Sequence, residues 1–438
     1  MLSGVVLLLF LSTETINGQC QMEGKVINCK GRHLKDVPSF DILSDRTSVY
    51  LNYNDIEYIP PNAFVNISDT PELHVYLDHN VINEIDTNAF AGLENVTVRL
   101  FLRENNFTHG LPEAMSSLKR LTHLSFNGIA ILSPVVLTNV SSSLEHLSIG
   151  LDSLSSWPKQ LQHLSHLNSL QVSDMHYGSI PKDAFSGFIS SLEFLEITSS
   201  NLNSSLDAIC PLVNLQTLTL TFGHVKDIDS LFPICPQRLN STWMLKLQHV
   251  TFTLFPDVFH IFPKLTFLEV SHNDKLRFIS DEVVSADNKV TELILRKNNL
   301  RQIPFVVQNM ASLEMLDLSS NQILVVETND LGNLTRLKRL ILSSNPIVDI
   351  SVHAFSLLPS LQYLGLSHTN LTHLPRAILS QPNITTVDVR SNPIVCGCAM
   401  NWILNTNLMS SLIGKCLDKT ASKESKVVEY VKTKCKGP

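Results

Sequence analysis

The sequence lacks the short motifs that mark common enzyme chemistries. No serine stands in a G-x-S-x-G frame, no glycine-rich phosphate loop ends in Gly-Lys-Ser/Thr, and no H-E-x-x-H occurs. A serine nucleophile, a bound nucleotide phosphate and a catalytic zinc ion each need such a frame, because the reacting groups must sit at fixed spacing. The sequence therefore predicts that the protein is not an enzyme, and it indicates no cofactor.

Long apolar runs are missing beyond the N-terminus. The run Val5–Leu11 is too short to span a bilayer, and no later window supplies the ~20 apolar residues that a membrane helix needs. An apolar run that is followed by polar residues and then by the small Gly18 is typical of a secretory signal. We therefore predict a signal peptide over residues 1–18 and a secreted, extracellular mature chain with no membrane span.

Charge is scarce and weakly biased. Charged residues make up 17% of the chain and the formal net charge is −7, so no basic excess indicates a nucleic-acid partner. Hydrophobic residues make up 44%, which is enough for a continuous core and argues against disorder.

One pattern recurs through most of the chain. The segments TELILRKNNL, SLEMLDLSSNQI and RLKRLILSSNPI each place apolar residues as L-x-x-L-x-L before an asparagine or its equivalent. Such positions recur about every 24 residues, inside the ~20–29 range of one repeat architecture. They are residues 54, 80, 105, 129, 152, 175, 200, 223, 250, 273, 298, 321, 345, 369 and 392. A short strand of this kind buries its apolar face only by stacking on its neighbours.

These repeats resemble the leucine-rich repeat family, and the ends resemble the cysteine caps of Slit, Toll and chaoptin-type ectodomains. The resemblance implies an α/β solenoid, a leucine-rich repeat horseshoe with a parallel concave β-sheet and with disulfide caps at both ends. The predicted boundaries are 19–46 for the N-terminal cap, 47–392 for about fifteen repeats and 393–438 for the C-terminal cap. In the family the repeated asparagine is buried and bonds the backbone of adjacent turns.

The asparagine position is not uniform along the chain. It lapses in the middle repeats to Ile129, Asp152, Met175, Ser200, Gly223 and Val250. Apolar residues there cannot make amide hydrogen bonds, so these turns must satisfy their backbone by another route. Between the strands a recurring Ala-Phe pair, at Phe64, Phe90, Phe185 and Phe355, predicts a buried packing spine beside short helices or 3₁₀ turns.

Eight cysteines in a chain predicted to be secreted favour disulfides throughout. Cys20 and Cys29 bracket a probable hairpin. Cys210 and Cys235 lie one period apart, close enough for a disulfide, with a metal pair as the less favoured alternative. The last four cysteines allow three pairings by sequence alone. The family resemblance implies Cys396–Cys416 and Cys398–Cys435, with Trp402 covering the last repeat from a helix that begins near Ala399.

Two histidines are the sharpest candidate metal ligands. His123 and His146 occupy the same position on consecutive predicted strands, and His74 occupies it two turns earlier with Arg99 between. A structural metal needs about four ligands. Next to the pair, this column offers neither a carboxylate nor a third histidine, because Arg99 separates His74 from it. We therefore predict no metal site and interpret the pair as surface imidazoles.

Outward-facing residues of the predicted strands offer a binding surface. Each repeat has one central outward residue, which is the predicted centre of its strand. These fifteen residues are Tyr50, Tyr76, Phe101, Ser125, Ser148, Gln171, Glu196, Thr219, Lys246, Glu269, Ile294, Asp317, Ile341, Gly365 and Asp388. The three rings at the start of this column should stack because neighbouring strands lie ~4.8 Å apart. Exposed aromatic residues with charged neighbours are typical of interface hot spots. The predicted binding patch is Tyr50, Tyr76, Phe101, His74, Asp78, Arg99 and Arg103. The alternative is that the cap or a loop covers these rings.

Nine N-x-S/T sequons lie outside the predicted strands. They are Asn66, Asn95, Asn106, Asn139, Asn203, Asn240, Asn333, Asn370 and Asn383. Glycans at these positions would leave the strand face open, although core residues also restrict where sequons can fall.

These features favour a secreted, non-enzymatic recognition protein that binds an extracellular protein or glycoconjugate through its concave face, in innate immunity, adhesion or matrix. The alternative is an accessory or inhibitory, non-catalytic subunit of a secreted enzyme complex. Homo- or hetero-oligomers are compatible with either function.

Overall fold

The computed structural model describes residues 14–16, 20–107, 110, 112–128, 131–202, 204–223, 231–250, 253, 255, 257–280, 284, 287–419 and 422–435. The chain divides into two compact units. The first is Met1–Tyr177 with Pro181–Phe194, and the second is Gly178–Ile180 with Leu195–Pro438. Within the described residues, no helix is both long and apolar enough to cross a bilayer.

The first unit begins with a hairpin and continues as a parallel sheet. Strands Cys20–Glu23 and Val26–Asn28 pair antiparallel, as the sequence predicted, and Glu14–Ile16 pairs antiparallel with the first of them. Val26–Asn28 then pairs in parallel with the first repeat strand, so the cap continues the sheet. The repeat strands are Ser48–Tyr50, Glu72–Tyr76, Thr97–Phe101, Leu121–Phe126, His146–Gly150 and Ser169–Met175.

The second unit stacks further turns of the same kind and ends in a small cap. Its repeat strands are Phe194–Ser199, Thr217–Phe222, Met244–Gln248, Phe267–Ser271, Glu292–Ile294, Met315–Asp317, Arg339–Ile341, Tyr363–Gly365 and Thr386–Asp388. Leu412–Ile413 from the cap adds a parallel strand after them. The cap is completed by the antiparallel pair Lys415–Asp418 and Lys423–Lys426 and by helix Val427–Lys434.

All fifteen predicted strand centres lie in strands, and the leucine-rich repeat solenoid with disulfide caps is confirmed. The alternation of the sequence explains the register. In Glu72–Tyr76, Leu73 and Val75 are buried, while the residues on either side of them are half-exposed. Because side chains alternate across a strand, the leucine positions fill the core and the variable positions form the outer face.

The return segments are short, as their sequences predicted. The α-helices are Pro134–Val140, Leu408–Ser411 and Val427–Lys434. The 3₁₀ helices are Val65–Ile67, Glu113–Ser117, Lys159–His163, Ser186–Phe188, Asp207–Ile209, Phe305–Asn309, Arg376–Ser380 and Cys398–Asn405. Two-residue parallel pairs join Tyr58–Ile59 to Glu84–Ile85 and Val325–Val326 to Asp349–Ile350.

The phenylalanine spine is confirmed as core. Phe64, Phe90, Phe185 and Phe355 are all buried. The rings of Phe64 and Phe90 stack with centroids 5.8 Å apart, so one ring per turn fills the space between sheet and return segments.

The repeated asparagines hold the turns that follow the strands. The amide of Asn80 donates to the carbonyls of Leu51 and Leu77 at 3.0 and 2.9 Å, and its oxygen accepts from the Ile56 N–H at 3.1 Å. The residue just before it, His79, has a φ of 55°, in the left-handed region that most side chains avoid. The asparagine therefore links consecutive turns and supports a strained backbone position.

Where the asparagine lapses, the strand ends nearer to the turn position. Met175 and Val250 are fully buried at this position. Ser169–Met175 is seven residues long, whereas Met315–Asp317 in an asparagine repeat has three. Because apolar side chains offer no hydrogen-bond donor, these turns are built without the amide bonds of the asparagine repeats. Ile129 lies outside the described residues.

All four predicted disulfides are present. Cα–Cα distances are 4.4 Å for Cys20–Cys29, 5.2 Å for Cys210–Cys235, 5.1 Å for Cys396–Cys416 and 5.2 Å for Cys398–Cys435. The 3₁₀ helix begins at Cys398, close to the predicted start near Ala399, and its buried residues are Met400 and Ile403. Trp402 is half-buried, and its covering of the last repeat stays a prediction.

Candidate recognition surface

Three aromatic rings stack on the outer face of the first unit. Tyr50, Tyr76 and Phe101 pair in register on adjacent strands. The ring centroids of Tyr50 and Tyr76 are 4.5 Å apart, and those of Tyr76 and Phe101 are 4.7 Å apart. The planes of the three rings are nearly parallel. We call these three residues the aromatic ladder. Its rings are half-exposed, and they cannot turn inward because Val49, Val75 and Leu100 already fill the core beneath them.

A charged cluster runs beside the ladder. His74 and Arg99 lie on paired positions, as predicted, but both bind Glu72, which sequence reasoning did not include. The Glu72 carboxylate lies 2.9 Å from His74 Nε2 and 2.8 Å from Arg99 Nε. The hydrogen bond from His74, together with Arg99, lowers the pKa of Glu72. The positive charge of Arg99 on this side of the patch is therefore compensated by the Glu72 carboxylate. Glu72 lies at the start of the same strand, two residues from His74, which is the signal that could have found it.

Arg103 and Asp78 lie on the other side of the ladder. The Arg103 backbone N–H donates to the Asp78 carboxylate at 2.9 Å, and burial raises the pKa of Asp78. The Arg103 guanidinium reaches along the sheet, where Nη1 donates to Ser148 Oγ at 3.0 Å and Nη2 donates to Ser173 Oγ. Only 27% of the Arg103 side chain is exposed, so it forms a fixed boundary of the patch.

A second pair of stacked rings was not predicted from the sequence. Tyr53 and His79 each stand immediately before a repeated asparagine, and their rings stack with centroids 4.3 Å apart. The Lys30 ammonium lies 4.9 Å from the Tyr53 ring centre. A depression of about 350 Å³ lies between this stack and Arg103. It is lined by Asn52, Tyr53, Asp78, His79, Arg103 and Glu104. The sequence signal was the recurrence of ring-bearing residues at one turn position.

The two histidines singled out by sequence form a stacked pair. The rings of His123 and His146 lie 4.0 Å apart, on strands that pair these residues directly. They are half-buried, not freely exposed as interpreted from sequence. Burial, together with His146 and Arg99, lowers the pKa of His123 to about 4, and burial also lowers the pKa of His146. Both rings are therefore neutral at pH 7. The described residues contain no group of three histidine, cysteine or carboxylate side chains that would hold a metal ion.

Two outward positions in the second unit are not exposed as the column predicted. Glu269 and Asp317 keep only 3% and 7% of their surface. Glu269 accepts hydrogen bonds from Gln248 Nε2 at 2.9 Å and from Ser271 Oγ at 2.7 Å. Polar neighbours on the sheet fold over these carboxylates, so they belong to a local network and not to an open surface.

The sequons keep the strand face clear. Asn203 lies outside the described residues, and the eight other sequon asparagines are all exposed. None of those eight lies in a strand. Whether they carry glycans stays a prediction.

The later repeats of the chain match a known family of repeat proteins. The family model described as "Leucine rich repeat" matches residues 263–323, 288–347 and 335–394. These are the turns in which buried asparagines and three-residue strands recur most regularly. These turns are leucine-rich repeats.

The proteins to which this chain is similar include receptors. It is 36% identical to mouse Toll-like receptor 9 over 96 residues, covering 22% of the chain and 9% of the receptor. It is 26% identical to Toll-like receptor 3 of Boselaphus tragocamelus over 322 residues, covering 68% of the chain and 35% of the receptor. It is 27% identical to Drosophila chaoptin over 218 residues, covering 44% of this chain and 16% of chaoptin. The chain thus spans about a third of Toll-like receptor 3 and less of the other two.

Solved structures support the same fold. A leucine-rich repeat protein of Leptospira interrogans superposes with a TM-score of 0.59 at 20% identity, covering 82% of this chain and 88% of that one. A chain of the Drosophila Toll–Spätzle complex superposes with a TM-score of 0.57 at 15% identity, covering 93% of this chain and 71% of that one. At these identities the likeness concerns the fold alone.

Proposed function

We propose that this protein is a secreted, non-enzymatic recognition protein that binds an extracellular protein or glycoconjugate partner on the outer sheet face of its first unit. The aromatic ladder carries this proposal. Three rings held in register, over a filled core, give a rigid apolar surface whose side chains lose little freedom on binding. The similarity to proteins named as receptors supports a recognition function.

The surroundings of the ladder fit an interface. Ion pairs and hydrogen bonds already satisfy Glu72, Arg99 and Asp78, so a partner need not desolvate unpaired charges at the centre of the patch. Half-exposed polar groups at the rim can still form hydrogen bonds with it. This division into an apolar centre and a polar rim is typical of binding surfaces.

Secretion is supported by several features of the chain. Four disulfides form readily only in oxidising compartments, and relatives such as the Toll-like receptors and chaoptin share the repeats. The signal peptide over residues 1–18 remains a prediction, as do the cap boundaries and the exclusion of nucleic acid as a partner.

The test is capture of a partner by the secreted chain. The wild-type protein and a Tyr50→Ala/Tyr76→Ala/Phe101→Ala variant are immobilised at equal density, and bound extracellular proteins and glycoconjugates are identified by mass spectrometry. We expect a partner that the wild type retains and the triple variant loses, with equal secretion of both. Equal capture by both proteins would overturn the proposed site.

The same experiment addresses the alternative function. An accessory subunit would copurify with a secreted enzyme in fixed stoichiometry, and that enzyme's turnover would change when the chain is removed. A partner without enzymatic activity would instead favour the recognition function.

A further inference from the structure

A cavity of about 990 Å³ lies at the C-terminal end of the second unit. It is bounded by the end of the last repeat, by Leu412–Ile413, by the antiparallel pair of the cap and by helix Val427–Lys434. Its volume lies within the ~300–1,000 Å³ that is usual for sites that bind small molecules. We call this space the cap cavity. The side chains that line it indicate what it could hold.

Apolar side chains form one part of the lining. They are Pro393, Met409, Leu412, Ile413, Leu417 and Val428. None of the six is buried, and Ile413 and Leu417 keep 46% and 44% of their surface. Single exposed apolar residues are ordinary on a protein surface, but a group of them around one cavity marks a place where an apolar ligand can be covered.

Charged side chains form the second part of the lining. Four are cationic and two are anionic, namely Arg390, Lys415, Lys426, Lys432, Glu424 and Glu429. Two of the cations are already paired. The Arg390 guanidinium lies 2.7 Å from the Asp388 carboxylate. The Lys415 ammonium lies 3.1 Å from the Glu424 carboxylate.

The other two cations are not compensated in this way. Among the residues that the structure describes, Lys426 and Lys432 have no carboxylate oxygen within ion-pair distance. Both side chains are exposed. Against these two ammonium groups stands only Glu429, the second acidic residue of the lining. The cap cavity therefore combines an apolar lining with an excess of positive charge.

Disulfides fix the walls of the cap cavity. Cys416, which lines it, is bonded to Cys396 and so ties the first strand of the antiparallel pair to the end of the repeats. Cys435, directly after helix Val427–Lys434, is bonded to Cys398. The Val427 N–H also donates to the Gly414 carbonyl at 3.2 Å. A ligand would therefore enter a preformed site, with little loss of chain freedom on binding.

We propose that the cap cavity binds a single-chain aliphatic carboxylate, such as a fatty acid. The tail lies against the apolar lining, and the carboxylate lies beside Lys426 and Lys432. This ligand matches both parts of the lining at once, because an ammonium group attracts a carboxylate as a point charge and each buried methylene adds to affinity. The inference goes beyond the proposed function and does not depend on it, since all of its residues lie in the second unit.

The first experiment titrates the full secreted chain, freed of lipid, by calorimetry at physiological salt. The ligands are octanoate, decanoate, dodecanoate and dodecylammonium, all below their aggregation concentrations. Two further buried methylenes should tighten binding about fifteenfold, so dodecanoate should bind that much more tightly than decanoate. Dodecylammonium has the same tail with the opposite charge, and we expect its affinity to be at least about tenfold lower than that of dodecanoate.

A pair of double variants tests the position of the carboxylate. Lys426→Glu/Lys432→Glu reverses the two unpaired charges of the lining and should weaken dodecanoate binding by at least about tenfold. Lys423→Glu/Lys434→Glu makes the same change in net charge on the same strand and the same helix, at exposed residues that do not line the cap cavity. It should leave the affinity within about twofold, because salt screens exposed charges away from the site.

A pair of single variants tests the position of the tail. Leu417→Glu places a carboxylate on the apolar lining and should abolish dodecanoate binding. The control is Leu379→Glu, because Leu379 is 46% exposed, much like Leu417, but lies outside the lining. It should bind dodecanoate as the wild type does. Circular dichroism checks that all four variants are folded.

Three results would refute the inference. They are equal affinity for dodecanoate and dodecylammonium, unchanged binding by a folded Lys426→Glu/Lys432→Glu variant, and the absence of dodecanoate binding. Vesicles of phosphatidylglycerol separate a free carboxylate from a lipid surface. Sedimentation of the chain with these vesicles, without binding of dodecanoate, would mean that the basic residues contact a membrane and that the cap cavity is not a fatty-acid site.

Discussion

The charged residues around the aromatic ladder are bound to one another. Glu72 holds His74 and Arg99, while Arg103 is fixed by two serines and donates its backbone N–H to Asp78. Pairing on the sheet fixes their geometry but removes much of their capacity to attract a partner. The energy of binding should therefore come mainly from the rings, and the paired charges should govern orientation and specificity.

This leads to a prediction for the central ring. Replacing Tyr76 by Ala removes both stacking contacts of the ladder, and we expect partner affinity to fall by about 2 kcal/mol, roughly thirtyfold. The matched control is Tyr363→Ala in the second unit, where the ring is also half-exposed and the Arg339 guanidinium lies 4.4 Å from its centre. Surface plasmon resonance should show the large loss for the first variant alone. Glu269 and Asp317 are unsuitable controls because they are buried.

The stacked histidines predict how stability depends on pH. The pKa of His123 in the folded chain is about 4, below its usual 6.5, so the unfolded chain binds more protons between these values. Stability is therefore lost as the pH falls from about 6.5 to about 4. After allowance for solvent screening, the loss between pH 7 and pH 5 that is due to this residue is about 1 kcal/mol.

His123→Gln should reduce that pH dependence in urea unfolding followed at both pH values. His33, whose side chain is 90% exposed, gives the matched control in His33→Gln. An unchanged difference between pH 7 and pH 5 in the His123→Gln variant would contradict the assignment.

At the scale of the element, one side chain per repeat decides how a strand ends. Asn321 donates to the carbonyls of Leu295 and Leu318, both at 2.9 Å, and accepts from the Leu300 N–H at 3.1 Å. Such a turn stops the strand after three residues in Met315–Asp317. Where the amide is missing, as at Met175, the strand runs on.

The amide at Asn321 should matter for stability. Asn321→Ala leaves the buried Leu300 N–H without its partner, whereas the carbonyls of Leu295 and Leu318 each lose one of two amide donors. We expect the free energy of unfolding of the second unit to fall by about 2 kcal/mol. Asn329→Ala, an exposed asparagine in the following return segment, should change it by less than about 0.5 kcal/mol. Chemical denaturation followed by circular dichroism distinguishes the two. Similar small effects of both variants would mean that water replaces the amide.

At the scale of the whole molecule, the described sequons lie in segments outside the strands. The exposed sequon asparagines lie outside the strands, among the residues that the structure describes. A bulky glycan placed on a strand should therefore block what the natural pattern leaves open. Two single substitutions in the central outward column complete a sequon: Gln171→Asn before Val172-Ser173 and Thr219→Asn before Leu220-Thr221.

We expect Gln171→Asn to carry a glycan in the same column as the aromatic ladder, three strands beyond Phe101, and to lose the partner. Thr219→Asn should carry one in the second unit and retain the partner. The double variant Gln171→Asn/Ser173→Ala, which has no sequon, controls for the lost glutamine. Mass spectrometry establishes occupancy, and capture measures binding. Retained binding by a fully glycosylated Gln171→Asn variant would move the site away from this face.

The sequence by itself determined the scaffold. A fixed period with alternating leucines specifies one strand per turn, because no other arrangement buries the apolar face of so short a segment. The same alternation placed Tyr50, Tyr76 and Phe101 in register and Cys210 opposite Cys235, since both depend only on spacing along the chain.

Only the tertiary structure decided which outward residues are available. Glu72 captures His74 and Arg99, Arg103 reaches Ser173 across 70 residues of chain, and Gln248 and Ser271 fold over Glu269. These contacts depend on side-chain lengths and rotamers across neighbouring turns, which a periodic pattern does not encode. The repeat period fixes where each Cβ lies, but the packing between turns determines what remains exposed for a partner.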